Sequence, residues 1–184
     1  TRGVSVMIPL SVLGAASAVA DAYSVKIIDQ RVSENWKEIL KTELNAKPLC
    51  VAISSMTGSQ IYYALQVAKA VRDYAPDIPI VWGGMHATLL PEQTLANPYV
   101  DFVIRGEAEI AFREFVDALA GKRSLDSVRG LGRMVPGADG QKVFDTKEIA
   151  SDVKMDLLPP IPYDLVNVEE YTSPAQYLYP GVKR

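Results

Sequence analysis

Val81-Trp82-Gly83-Gly84-Met85-His86 is the stretch that decides how this chain folds. Ile78-Pro79-Ile80 precedes it, so an apolar run ends abruptly at two glycines and polar residues follow. A short run without polar alternation is what a parallel strand covered on both faces looks like. The glycines strip side chains from the end of that strand, so a flat or bulky group can approach the backbone. Phe102-Val103-Ile104 followed by Arg105-Gly106-Glu107-Ala108-Glu109 repeats the arrangement. In an open α/β sheet, ligands sit in the crevice beyond the carboxyl ends of such strands.

Working outward, Leu49-Cys50-Val51-Ala52-Ile53 is a third apolar run, and Ser54-Ser55-Met56-Thr57-Gly58-Ser59 is the loop after it. Residues 60–74 place Ile61, Ala64, Leu65, Ala68 and Val71 on one helical face, and Pro76-Asp77 turns the chain. A brief helix is expected over 91–95, and another over 110–119, stopped by Gly121. Nearer the start, Val4–Ile8 and Val25–Ile28 read as strands, Leu10–Ala20 as a short helix, and Trp36, Ile39, Leu40 and Leu44 as the stripe of a helix closed by Pro48. Five short strands alternating with helices predict an α/β fold: a Rossmann-like, doubly wound parallel sheet of flavodoxin-like order 2-1-3-4-5.

After Lys122 the character changes. Gly130–Val135 and Gln141–Phe144 flank Pro136-Gly137-Ala138-Asp139-Gly140, the pattern of a β-hairpin. Leu158-Pro159-Pro160-Ile161-Pro162-Tyr163 suits an extended connector, and residues 177–184 close no element. The expected division is a ligand-binding domain over 1–125, then a hairpin and proline-rich linker over 126–184.

Composition bounds the function. The 184 residues carry a net charge of -3, which leaves no broad basic footprint for nucleic acid. One cysteine, Cys50, permits no internal disulfide and no cysteine-built zinc or iron–sulfur site, and reads as a buried thiol. Residues 4–20 carry no charge and superficially resemble a signal peptide, but Pro9, Gly14 and three serines interrupt them and they are short for a membrane span. The chain opens Thr1-Arg2 without an initiator methionine, so a trimmed or excised piece is expected.

The order Ile53-Ser54-Ser55-Met56-Thr57-Gly58, Trp82-Gly83-Gly84-Met85-His86-Ala87-Thr88, Pro91-Glu92, then Asp101–Glu109 resembles the N-terminal cobalamin-binding domain of B12-dependent radical SAM enzymes. That group includes C-methyltransferases and the anaerobic magnesium-protoporphyrin monomethyl ester cyclase. The resemblance covers most of residues 4–125, and the later hairpin and connector resemble the stretch before the radical SAM barrel.

The resemblance implies cobalamin at the carboxyl edge of the sheet, its nucleotide tail in a slot and the corrin ring across the top. Ser54, Met56, Thr57 and Gly58 match the serine-containing loop that lines the tail. Gly83 and Gly84 match the glycine pair beside which the tail passes, with Met85 and His86 following directly. Gly106 and Glu107 match the loop after the last strand. Related B12 domains of methionine synthase and the mutases carry a cobalt-ligating histidine in Asp-x-His-x-x-Gly. Here the corresponding loop is Pro9-Leu10-Ser11-Val12-Leu13-Gly14, so apolar Leu10 or water is expected at the lower cobalt face, with no protein metal ligand and no catalytic residue. S-adenosylmethionine and a 4Fe-4S cluster would belong only to a radical SAM domain of the same polypeptide, absent from this sequence. A cytoplasmic location, no nucleic acid and no membrane span follow as expectations.

Each residue also has a plainer reading. Gly83-Gly84 can be a strand-to-helix turn, His86 a cap on a carbonyl, and Glu107 and Glu109 favourable charge at a helix start. Ser54, Ser55 and Thr57 can satisfy local backbone donors, and Trp82 can be strand core. The alternatives to a cobalamin module are a flavodoxin-like domain for another nucleotide or flavin, and a structural docking domain. Neither G-x-G-x-x-G nor G-x-x-x-x-G-K-[ST] occurs, which counts against the nucleotide reading.

Overall fold

Three apolar runs become three parallel strands: β1 (Val51–Ser54), β2 (Ile80–Gly83) and β3 (Phe102–Ile104). A computed structural model describes residues 6–137, 141–149 and 154–171. The hairpin β4 (Leu131–Pro136) and β5 (Lys142–Thr146) extends the same sheet, β4 running antiparallel to β3, to give the order β1-β2-β3-β4-β5. Gly132 makes that junction close: a Cβ there would lie 2.7 Å from Val103 Cγ2 and 3.0 Å from the Phe144 ring. Ala138–Gly140 of the expected hairpin turn, and residues 177–184, lie outside the described residues.

Among the described residues six α-helices flank the sheet: α1 (Leu10–Ser17), α2 (Trp36–Asn45), α3 (Ser59–Tyr74), α4 (Met85–Leu89), α5 (Pro91–Leu95) and α6 (Ala108–Leu119). Alternation along each strand sorts the core into two layers. Ile53, Ile80, Trp82 and Val103 pack with Leu40 and Leu44 of α2 and Ala64, Ala68 and Val71 of α3. Val81 and Ile104 face the other way, onto Ala111, Phe115 and Val116 of α6 and Val19 just beyond α1. Each large side chain fully buried in these layers contributes about 1.5–3 kcal/mol relative to exposure.

The sheet has five strands, but not the five expected. Val25–Ile28 forms no ladder, nor does the described part of Val4–Ile8, so the order 2-1-3-4-5 is kept only in the neighbours 3-4-5, here β1-β2-β3. Val25–Ile28 is held by its side chains instead: Val25 packs against the α6 layer and Ile28 against the α3 layer. Asp29 then binds Arg31 through its backbone N–H (3.0 Å) and its Nε (2.9 Å).

Candidate cofactor-binding site

The carboxyl ends of β1 and β2 meet at Ser54 and Gly83, which are register partners. Ile53 and Trp82 point into the α2–α3 layer, so Ser54 and Gly83, one residue further, face the layer of α1 and α6. No heavy atom lies within 4 Å of the place a Gly83 Cβ would occupy. This is an open gap at the end of a central strand. On the same side of the sheet, α1 begins at Leu10, which is half exposed, and Gly14 one turn on lets α1 close on α6: its Cβ would lie 2.9 Å from Glu109 Oε1.

The two glycines do different things. Gly84 has φ +89°, and a Cβ on it would sit 2.8 Å from Ser55 O and 3.1 Å from Ser54 Oγ. Gly83 leaves space; Gly84 lets two loops touch. Those loops are joined by Ser55 N–H donating to Gly83 O (3.1 Å) and His86 N–H donating to Ser55 O (3.2 Å). Thr57 Oγ1 lies 3.2 Å from His86 Nδ1. Met56 N–H donates to Gln60 Oε1 (3.1 Å), and Gly58, at φ +119°, swings the chain into α3.

Gly106, at φ +78°, has no free space, since its Cβ would meet Ile149 Cγ2 at 2.5 Å. Its N–H donates to Thr88 Oγ1 (3.0 Å), which ties the loop after β3 to α4. Glu107 is exposed at the N-cap position of α6 and makes no side-chain cap bond. The structure thus gathers Ser54, Met56, Thr57, Gly58, Gly83, Gly84, Met85 and His86 at one edge, with Gly106 and Glu107 joined through Thr88, while Leu10 stands at the start of α1, the helix that closes on α6. Leu10, Met56 and Met85 are exposed apolar side chains.

His86 is 6% exposed and lies with Trp82 on the α3 side of the sheet, away from the open side of Gly83. Among the described residues no group of three or more His, Cys, Asp or Glu could hold a metal ion. Cys50, next to β1, has its thiol pushed up to about 12 by burial. Among the described residues no helix is long and apolar enough to cross a membrane.

Sequence reasoning missed three residues. Ser55 is fully buried and its backbone joins both loops; Thr88 bridges to Gly106; Gln60 holds Met56. Thr88 was visible as the hydroxyl closing the motif that begins at Trp82, whereas nothing in spacing marks Ser55 over Ser54.

Known proteins resemble this chain in sequence and in fold. An uncharacterized methyltransferase of Pyrococcus horikoshii, PH0819, is 34% identical over 167 residues, covering 90% of this chain and 35% of that protein. The anaerobic magnesium-protoporphyrin IX monomethyl ester cyclase of Cereibacter sphaeroides is 26% identical, covering 82% of this chain and 23% of the cyclase. The cobalamin-dependent S-adenosylmethionine radical enzyme OxsB, solved with aqua-cobalamin and S-adenosylmethionine bound, superposes with a TM-score of 0.65 at 19% identity, over 79% of this chain and 20% of OxsB. That likeness shows a shared Rossmann-like fold, and the chain spans about a third or less of the length of these proteins. Residues 4–116 match the sequence profile of the B12 binding domain, and the chain belongs to that family.

Proposed function

We propose that this chain is a cobalamin-carrying module that presents its corrinoid to a radical SAM domain of the same polypeptide, in the cytoplasm. The open space beside Gly83 carries the reading. A nucleotide arm entering there meets no side chain from β2 and passes the Ser54 hydroxyl on β1. The residues present fit the group: the Ser54 hydroxyl and the backbone at Thr57 and Gly58 suit a polar arm, and the exposed Leu10, Met56 and Met85 suit an apolar macrocycle face.

Gly84 and Gly106 act by holding the surrounding loops together, and Glu107 offers its carboxylate to amide groups at the rim. Leu10 excludes water from the lower face without ligating metal, and His86, on the other side of the sheet, holds Thr57 in place. When bound, the corrinoid supplies methyl transfer or an oxidative radical step on a tetrapyrrole or similar substrate. Residues 1–125 would carry it, and 126–184 would lead towards the catalytic domain. S-adenosylmethionine and a 4Fe-4S cluster would be held by that domain, because one cysteine cannot ligate a cluster.

The test is equilibrium titration of the purified chain with hydroxocobalamin, followed in the visible spectrum. Saturable corrin binding that is lost in Gly83→Leu is the expected result. No spectral change at any cobalamin concentration, or undiminished binding in Gly83→Leu, overturns the proposal.

A further inference from the structure

The face of the sheet opposite the Gly83 gap holds a second space. It is a cavity of about 360 Å³ between α3, the end of β2 and α4–α5, within the range of small-molecule sites. Ile61, Leu65, Leu90 and Val100 form apolar walls. No Asp, Glu, Lys or Arg lines it, so an ion entering would lose its water without gaining a counter-charge.

Three uncharged polar side chains on this lining have hydrogen-bonding capacity to spare. His86 is 6% exposed, and its Nδ1 lies 3.2 Å from Thr57 Oγ1. Its Nε2 has no partner among the described residues, and it is not sealed from solvent as the unpaired indole nitrogen of Trp82 is. Asn97 accepts the Tyr99 N–H at its Oδ1 (3.0 Å) and leaves its amide N–H groups free. The exposed Gln93 amide bonds to nothing among the described residues. A nearly buried imidazole held at one nitrogen needs a partner for the other, and the cavity is where one can stand. The Thr57 hydroxyl can donate to Nδ1 or accept from it, so Nε2 serves as donor or acceptor in turn. A ligand edge carrying one donor beside one acceptor satisfies either tautomer.

We propose that this cavity binds a neutral, flat amide or lactam, with its apolar body between Ile61, Leu65, Leu90 and Val100 and its amide edge on His86 Nε2, Gln93 and Asn97. Gly83 opens on the other face of the sheet, so binding here needs no cobalamin and is independent of the cofactor reading.

Quinolin-2-one, a neutral bicyclic lactam with N–H and C=O side by side, is the probe. His86 is the single histidine of the chain, so its ring signals in a magnetic resonance spectrum need no assignment. Those signals are expected to shift and saturate as quinolin-2-one is added. Naphthalene, of similar shape without the lactam, should leave them in place at the same concentration, up to its solubility limit. His86→Phe keeps a ring of similar size without Nε2 and should weaken quinolin-2-one about fivefold, read from ligand-side signals. Gln93→Leu changes an exposed, unbonded side chain and should weaken it by a similar factor even if His86→Phe fails to fold. Unmoved His86 signals at every quinolin-2-one concentration, an equal shift with naphthalene, or undiminished affinity in Gln93→Leu overturns the proposal.

Discussion

Tyr171 Oη donates to Asp29 Oδ2 at 3.0 Å, a contact between residues 142 positions apart. Tyr171 is 1% exposed. Arg31 grips the same carboxylate through Nε (2.9 Å) and also donates from its terminal nitrogen to Met7 O (3.1 Å). The proline-rich segment is therefore anchored onto the stretch between α1 and α2, and that stretch is tied to the chain leading into α1.

Tyr171→Phe removes this bond and leaves a carboxylate without one of its donors. A hydrogen bond to a charged group contributes about 1.5–3 kcal/mol. Urea unfolding should show a loss of about that size with an unchanged slope.

Acid should weaken the fold through two carboxylates. Burial raises the pKa of Asp29, but the Arg31 guanidinium and backbone N–H outweigh it, with the Tyr171 hydroxyl adding, and hold it below the usual carboxylate range. Glu114 is likewise raised by burial and lowered further by Arg129, whose backbone N–H donates at 2.9 Å, and by Arg123. A carboxyl whose folded pKa is depressed adds stability above its unfolded pKa and loses it as pH falls through the folded value. The urea midpoint should fall from about pH 5 downward, and Asp29→Asn or Glu114→Gln should each flatten that fall.

The glycine pair predicts a split between stability and binding. Gly84→Ala puts a methyl against Ser55 O at φ +89° and should cost about 2 kcal/mol or more of stability. Gly83→Leu enters open space and should change stability by no more than about 0.5 kcal/mol. Denaturation alongside cobalamin titration checks both.

Cys50 should resist alkylation in the native chain. Burial pushes its thiol up to about 12, so its thiolate fraction near neutral pH is about a thousandfold below that of an ordinary cysteine. Iodoacetamide labelling with and without denaturant measures the ratio.

The centre of the molecule was legible in the sequence because burial on both faces writes uninterrupted apolar runs. β1, β2 and β3, and the glycine ends that position the gap, are read directly from Val51–Ser54, Ile80–Gly83 and Phe102–Ile104. Val25–Ile28 is also β-branched, broken only by Lys26, but anchors by packing, a distinction periodicity cannot make. The hairpin was visible, but not its joining to β3, because pairing across an intervening helix depends on the close fit of Gly132 against Val103. In the site, composition identified two adjacent glycines, and only the surroundings of each Cβ position distinguish the open one from the packed one.

The bonds from Ser55 to Gly83, His86 to Ser55 and Gly106 to Thr88 have a mechanical consequence. They stitch three separate turns into one stiff rim, so a push on any of them is shared by all. A guest seated on that rim cannot escape by the swing of a single flap, and its residence time is set by loosening of the whole collar.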